Sequence, residues 1–176
     1  MNFTFEKQTI ECIKKLVAEN TTVAITTHYN SDGDAIGSST ALAEVLRQMG
    51  KNVKILLPND YPQFFKWMHG VDDILTLDRH PKPIRKYINE MDLLICLDIN
   101  DLSRTEDLQP LFEQAGKKSI VVDHHINLQI NADAVVSFPE ASSTCELLYH
   151  VLVACGYEKY INKHVAAEKS AHVVQS

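Results

Sequence analysis

The alternation of short apolar runs with segments of helical periodicity is the feature that most constrains the fold of this chain. Runs of strand length, such as Thr22–Thr27, Asn52–Leu57 and Asp92–Leu97, are separated by amphipathic segments. The clearest helix is predicted over Ala35–Met49, with Gly50 just beyond its end. Buried strands that alternate with such helices indicate an α/β fold. We expect a doubly wound, mainly parallel sheet of about five strands with helices on both faces.

Three further elements extend this pattern. A strand is predicted over Lys118–Val122, and a short helix is predicted over Pro62–His69. A longer helix is predicted over Ser143–Cys155, because Ser143 and Glu146 have the spacing of a capping box.

Composition restricts the class of protein. The 176 residues are 45% hydrophobic and 23% charged, as in a folded globular domain. No apolar run approaches the roughly 20 residues of a membrane-spanning helix, and Met1–Lys15 lacks the apolar core of a secretory signal. Four cysteines without a CxxC pair are typical of reduced thiols. We therefore expect a cytoplasmic protein with no membrane partner.

Three polar clusters each come directly after a predicted strand. The first is the stretch His28–Asp34, the second is Asp98, and the third is the triplet Asp123, His124 and His125. Because the carboxyl ends of parallel strands lie at one edge of a sheet, we expect these clusters to meet. Several carboxylates at close range need a counter-charge, which metal ions supply.

The donor types indicate which metal to expect. Carboxylate oxygens mixed with imidazole nitrogens, without a thiolate, favour Mn²⁺, with Mg²⁺, Co²⁺ or Zn²⁺ as alternatives. A pair of such ions lowers the pKa of water and neutralises charge on phosphoryl oxygens. Metals would thus attract phosphate to a chain with a net charge of −6, which has no polybasic surface for nucleic acid.

Each residue also has an ordinary interpretation when it is taken alone. Asp34 would serve as the N-cap of the following helix, and Asp98 and Asp123 would serve as caps at strand ends. His28 alone is more typical of a surface or hydrogen-bonded core residue. The order of the whole set after successive strands favours the metal site.

Three stretches in this order resemble the DHH phosphoesterases, a family that includes RecJ-like exonucleases, nanoRNA-degrading phosphodiesterases and family II inorganic pyrophosphatases. The stretches are HYNSDGDAIGSS at His28–Ser39, DIND at Asp98–Asp101 and VVDHHIN at Val121–Asn127. Glycines at Gly33 and Gly37, with Ser142–Glu146, are most similar to the nanoRNase branch. That branch also removes the 3′-phosphate of 3′-phosphoadenosine 5′-phosphate.

The resemblance implies a two-metal centre that holds Mn²⁺. His28 and Asp32 would bind one ion, and Asp34 and His124 would bind the other. Asp98 would bridge the two ions and would therefore count among the catalytic residues.

The resemblance also implies roles around the substrate. His125 would face the substrate phosphate as a catalytic residue, and Asp123 would orient the histidines. Arg104 is a candidate phosphate contact, with an ion pair to Asp101 or Glu106 as the alternative. Backbone donors near Ser143 and Thr144 would bind an anion at the start of a helix.

The resemblance further implies a domain organisation. Residues 1–165 would form the DHH catalytic domain, and residues 166–176 would form a divergent or truncated tail. Relatives continue to a fourth metal-binding aspartate and a second, substrate-binding domain, but no aspartate follows Asp133 here. We expect that second domain to be absent and this chain alone to have weak activity or none.

The predicted function is metal-dependent hydrolysis of short oligonucleotides or of the terminal phosphate of a phosphorylated adenosine nucleotide. A cyclic-dinucleotide phosphodiesterase and an inorganic pyrophosphatase are enzymatic alternatives, since both use the same core. A non-catalytic remnant that binds metal or nucleotide is the alternative from another class. A monomer and a homodimer both stay open.

Overall fold

A single sheet of six parallel strands lies at the centre of the computed structural model, which describes residues 3–166. The strands are β1 (Thr22–Thr26), β2 (Asn52–Leu57), β3 (Leu75–Thr76), β4 (Leu93–Leu97), β5 (Lys118–Asp123) and β6 (Ala134–Ser137). Their order in the sheet is β3-β2-β1-β4-β5-β6, and every neighbouring pair is parallel.

Helices cover the two faces of this sheet. They are α1 (Lys7–Glu19), α2 (Gly33–Gln48), α3 (Pro81–Glu90), α4 (Gln109–Ala115) and α5 (Thr144–Ala154). Buried residues of α1, α2 and α5 pack against one face, and those of α3 and α4 pack against the other. The predicted doubly wound α/β fold is therefore confirmed. Within the described residues, no helix combines the length and apolarity needed to cross a membrane.

Strand β4 shows why a central strand of this sheet has an apolar sequence without polar alternation. Leu93, Ile95 and Leu97 belong to the core cluster on the side of α1, α2 and α5. Leu94 and Cys96 alternate with them and belong to the cluster on the side of α3 and α4. A strand that is covered on both faces buries every side chain, so its sequence loses the polar alternation of a half-exposed strand. The four cysteines of the chain are free thiols.

Two elements differ from the sequence-based expectation. Strand β6 was not predicted, and it adds a sixth strand at the edge of the sheet. The helix predicted over Pro62–His69 is reduced to a single 3₁₀ turn at Gln63–Phe65. Phe65 is buried there, whereas Phe64 and Trp67 are exposed, so this segment has too small an apolar face to support a longer helix.

The order of the strands determines where ligands can approach. From β1 the chain moves outward to β2 and β3, and it then returns to place β4 on the other side of β1. The connections after β1 and β4 therefore leave in opposite directions and open a crevice between them. In open α/β sheets such a crevice at the carboxyl edge is the usual ligand site.

Candidate metal centre

The residues predicted as metal ligands lie together at this crevice. The Nε2 atom of His28 is 3.5 Å from Asp98 Oδ2 and 3.9 Å from Asp32 Oδ1. The Nε2 atom of His124 is 3.5 Å from Asp98 Oδ1 and 3.6 Å from Asp34 Oδ2. Donor atoms of His28, Asp32 and Asp98 all lie within 4.8 Å of one another. These side chains form two clusters with one residue in common.

Asp98 is the residue that the two clusters have in common. Its side chain is only 2% exposed, and its two carboxylate oxygens face different imidazoles. Its backbone has φ of 58°, a left-handed conformation that is uncommon for residues with a side chain. This conformation ends β4 and turns the chain at the centre of the crevice. The geometry matches a carboxylate that bridges two cations.

The electrostatics around Asp98 favour a cation beside its carboxylate. Burial raises its pKa, and the negative charges of Asp34 and Asp32 raise it further, while contact with His28 opposes this rise. Burial lowers the pKa of His28, but hydrogen bonds to Asp98 and to the Tyr29 carbonyl outweigh it, so the net pKa is raised. A cation between these groups would relieve both effects.

Asp32 and Asp34 take different positions at the start of α2. Asp32 is the N-cap, since its Oδ1 accepts from the N–H groups of Asp34 and Ala35 at 3.0 Å each. The interpretation of Asp34 as the N-cap is therefore wrong. The buried Asp34 carboxylate instead accepts from Thr144 N at 2.8 Å and from Cys145 N at 2.9 Å.

These contacts correct the expectation that the start of α5 binds the substrate. The backbone donors of Thr144 and Cys145 are occupied by Asp34, and the Ser143 hydroxyl accepts from Glu146 N at 3.0 Å as the N-cap. The Thr144 hydroxyl donates to Asp98 Oδ1 at 2.9 Å. The anion at this helix start is thus a carboxylate of the protein. Both donors of Thr144 are engaged by metal-ligand candidates instead of a substrate phosphate.

The capping box at this helix is displaced by one residue. The Ser143 half is formed as predicted, but the Glu146 carboxylate accepts from the N–H and hydroxyl of Ser142 at 3.0 and 2.6 Å. These bonds fix the first turn of α5, which in turn holds Asp34.

His125 pairs with Asp123 and also lies beside the ligands. Its Nδ1 is 3.7 Å from Asp98 Oδ1, and donor atoms of Asp98, His124 and His125 all lie within 4.8 Å of one another. Asp123 is fully buried and accepts from His125 twice, from its backbone N at 3.0 Å and from its Nδ1 at 2.7 Å. An ionised carboxylate only accepts, so this bond assigns the proton to Nδ1 and leaves Nε2 as the free ring nitrogen. Asp123 thus contacts His125, whereas Nδ1 of His124 lies 3.2 Å from the carbonyl of Ala141.

Arg104 lies close enough to the centre to influence it. Its positive charge lowers the pKa of His28, and its backbone carbonyl accepts from Tyr29 N at 2.7 Å. The expected alternative was an ion pair with Asp101 or Glu106, but within residues 3–166 the guanidinium pairs with no carboxylate. Its charge is therefore available to a ligand.

The sequence interpretation missed the direct contact of Thr144 with both Asp34 and Asp98. It also missed two exposed apolar side chains next to the motif histidines, Tyr29 at 45% and Ile126 at 67% exposure. The sequence did hold one signal for the Thr144 contacts. If β6 had been recognised as a strand, the helix after it would have been expected to start at the same edge of the sheet as the metal ligands.

Solved structures that are similar to this chain include the following three. An exopolyphosphatase-related protein from Bacteroides fragilis has 33% sequence identity and a TM-score of 0.93, with 97% of this chain and 50% of that chain covered. This chain thus spans about half the length of that protein.

The other two structures are exonucleases. RecJ bound to manganese has 19% identity and a TM-score of 0.56, with 98% of this chain and 45% of that chain covered. RecJ from Thermus thermophilus, in complex with Mn²⁺, has 19% identity and a TM-score of 0.55, with 98% and 25% covered. At this identity the likeness concerns the fold.

A family profile covers most of the chain. Residues 22–174 match the DHH family, N-terminal domain. This span contains His28, Asp98, His124 and His125, together with the six strands of the sheet. The chain therefore belongs to the DHH family, through the N-terminal domain of that family.

Proposed function

We propose that this chain is a metal-dependent phosphoesterase that hydrolyses short oligonucleotides or the 3′-phosphate of 3′-phosphoadenosine 5′-phosphate. The observation that carries the proposal is the position of Asp98, buried between two imidazoles with one carboxylate oxygen toward each. Family membership supports the reaction class, and the manganese in the RecJ structures supports the choice of metal.

The donors present fit a pair of divalent cations. His28 and Asp32 would hold one ion, Asp34 and His124 the other, and Asp98 both. Each oxygen of Asp34 already accepts one N–H, and a carboxylate oxygen has a second lone pair for a metal. Oxygen and nitrogen donors favour Mn²⁺, with Mg²⁺ or Co²⁺ as alternatives. When bound, such ions lower the pKa of water and hold phosphoryl oxygens.

His125 would contact the reacting phosphate. Its Nδ1 is held by Asp123, so the ring presents Nε2 from a side chain that is one-third exposed. A protonated Nε2 would donate to a phosphoryl oxygen and stabilise the charge that develops on it.

Arg104 would bind a second phosphate group of the substrate or a more distant oxygen of the reacting phosphate. Its guanidinium has no carboxylate partner among the described residues, and a planar guanidinium suits two phosphate oxygens. The bond from Tyr29 N to the Arg104 carbonyl fixes the backbone of this residue beside the His28 motif.

Two exposed apolar side chains favour a nucleotide over inorganic pyrophosphate. Tyr29 follows His28 directly, and Ile126 follows His125 directly. An aromatic ring and an aliphatic side chain beside a phosphate site suit a nucleobase, and base–aromatic stacking stabilises a complex by about 1–3 kcal/mol per base. Pyrophosphate has no group that would use these contacts.

A substrate panel tests the proposal. Hydrolysis of short oligoribonucleotides, oligodeoxyribonucleotides, 3′-phosphoadenosine 5′-phosphate, a cyclic dinucleotide, pyrophosphate and polyphosphate would be compared in Mn²⁺, Mg²⁺ and EDTA. We expect Mn²⁺-dependent hydrolysis of the two kinds of oligonucleotide and of 3′-phosphoadenosine 5′-phosphate. His125→Ala should abolish this hydrolysis.

Each other outcome contradicts a stated part of the proposal. Preference for pyrophosphate or polyphosphate would contradict the nucleotide substrate, and preference for the cyclic dinucleotide would favour that alternative enzyme. Turnover that survives EDTA would contradict metal dependence. Metal binding without hydrolysis of any substrate would favour the non-catalytic alternative.

A further inference from the structure

Thr144 contacts two of the predicted metal ligands at once. It is the first residue of α5 and is fully buried. Its backbone N–H donates to Asp34 Oδ2 at 2.8 Å, and its hydroxyl donates to Asp98 Oδ1 at 2.9 Å. The two carboxylates come from distant parts of the chain, so this residue connects ligands that the sequence separates.

The contact with Asp34 fixes that carboxylate on both of its oxygens. Thr144 N bonds to Oδ2 and Cys145 N bonds to Oδ1, which leaves the plane of the carboxylate no freedom to rotate. The amino end of a helix also carries a partial positive charge, which attracts a carboxylate. Asp34 is therefore oriented by the protein whether or not a cation is present.

The contact with Asp98 determines how that carboxylate meets its two imidazoles. A terminal carboxylate torsion is soft and has no sharply preferred angle. The Thr144 hydroxyl bonds to Oδ1, the same oxygen that lies 3.5 Å from His124 Nε2, while Oδ2 lies 3.5 Å from His28 Nε2. A rotation of the carboxylate would break the hydrogen bond and would turn both oxygens away from the imidazoles.

We infer that Thr144 is a positioning residue that sets the distance and orientation between the Asp34 and Asp98 carboxylates, and hence how tightly these carboxylates would hold cations. The inference rests on the proposed metal-dependent function and assigns Thr144 no contact with substrate or metal. Its hydroxyl acts through Asp98, which both ions would share. Loss of the hydroxyl should therefore lower the affinity for both ions together. Loss of a ligand to one ion should lower the affinity for that ion only.

Substitution of Thr144 tests this inference through metal binding. Thr144→Val removes the hydroxyl and keeps the shape, whereas Thr144→Ser keeps the hydroxyl. Mn²⁺ titration by calorimetry should show both ions of Thr144→Val weakened by about 10–100-fold, the range for outer-shell partners of metal ligands. Thr144→Ser should bind Mn²⁺ almost as the parent chain does.

A matched control is available in the same core. Thr40 is also buried, and its hydroxyl donates to the Ile36 carbonyl within α2, away from the metal ligands. Thr40→Val makes the same chemical change and should leave Mn²⁺ affinity unchanged, even where it alters the melting temperature in EDTA. If Thr144→Val does not fold, Thr144→Cys replaces it, and its weak S–H donor should give an intermediate affinity.

The outcomes separate this inference from the proposed function. Failure of the parent chain to bind any Mn²⁺ would overturn the proposed function itself. Parent-like Mn²⁺ affinity in Thr144→Val or Thr144→Cys would overturn the positioning role alone. Equal losses in Thr144→Ser and the hydroxyl-free variant would also overturn it, because the hydroxyl would then be irrelevant.

Discussion

Strand β4 has an aspartate at each end, and the pKa values of the two carboxylates are shifted in opposite directions. Asp92 precedes the strand and accepts hydrogen bonds from Thr21 N at 3.3 Å and Thr22 N at 3.0 Å, which hold its pKa below the usual value. Asp98 follows the strand, and there burial and neighbouring carboxylates raise the pKa. The same residue type thus has a lowered pKa at one edge of the sheet and a raised pKa at the other.

The same contrast extends along both edges. At the amino edge, Asp133 accepts from Ser119 N at 2.9 Å and from Lys118 Nζ at 2.8 Å, and its pKa is lowered. At the carboxyl edge, within residues 3–166, no lysine or arginine forms an ion pair with Asp98 or Asp34. A carboxylate with local partners stabilises the fold, whereas a carboxylate cluster that pairs with no lysine or arginine is suited to bind a metal cation.

Asp98→Asn should have the largest effect on the carboxyl edge. It removes the shared charge, so the affinity for both ions should fall by more than the about 10–100-fold loss that removal of an outer-shell partner causes. The free energy of unfolding in EDTA should stay equal or rise, because a buried charge that neighbouring carboxylates repel has been removed. Calorimetric Mn²⁺ titration and denaturant unfolding measure the two quantities. Unchanged metal content would contradict the bridging role.

Asp32→Asn should have a smaller and more selective effect. Its side chain is 56% exposed, and an asparagine still caps α2, so stability should change little. The ion beside His28 should be weakened while the ion beside His124 stays bound. Titration should then show one strong site in place of two. Equal weakening of both ions would contradict the assignment of Asp32 to one cluster.

Mn²⁺ binding should release protons and strengthen as pH rises. The pKa values of Asp98 and His28 are both raised in the metal-free protein, so each group holds its proton to a higher pH than usual. A cation must displace those protons, which makes binding weaker at low pH. Calorimetry between about pH 6 and pH 8, in buffers of different ionisation enthalpy, measures the release. Affinity independent of pH would argue against these two groups as ligands.

Asp92→Ala at the amino edge should have the smallest effect, and only on stability. It removes the acceptor for two backbone N–H groups near solvent, which costs about 1 kcal/mol. Because the pKa of Asp92 is lowered, its contribution is present at neutral pH and is lost as pH falls through that lowered value. Denaturant unfolding at two pH values measures it. A change in Mn²⁺ affinity would contradict the expectation that the amino edge of the sheet contributes only to stability.

Much of the fold and of the site follows from short-range patterns. Strands such as Asn52–Leu57 and Lys118–Asp123 contain short apolar runs bounded by polar residues. The rule that parallel strands share a carboxyl edge brings His28, Asp98 and His124 together. The glycine after α2 was also predictable, since Gly50 has φ of 83° just past the helix.

The remaining features depend on packing that no local pattern encodes. Strand β6 has only four residues with alternating burial, and a proline follows soon after at position 139, so it resembles a loop in sequence. The bonds from α5 to Asp34 span more than 100 residues and exist because α5 packs beside α2. The N-cap assignment failed for a related reason, since Asp32 and Asp34 both precede the apolar part of α2 and either spacing is acceptable.

The stoichiometry of Mn²⁺ binding tests the central claim most directly. Metal-free protein would be titrated with Mn²⁺, with bound ions counted by calorimetry and free ions by electron paramagnetic resonance. The position of Asp98 between His28 and His124 predicts two ions per chain, reduced to none in Asp98→Asn. Binding of no ion by the parent chain, or of two ions by Asp98→Asn, would contradict the claim that this edge of the sheet is a two-metal centre.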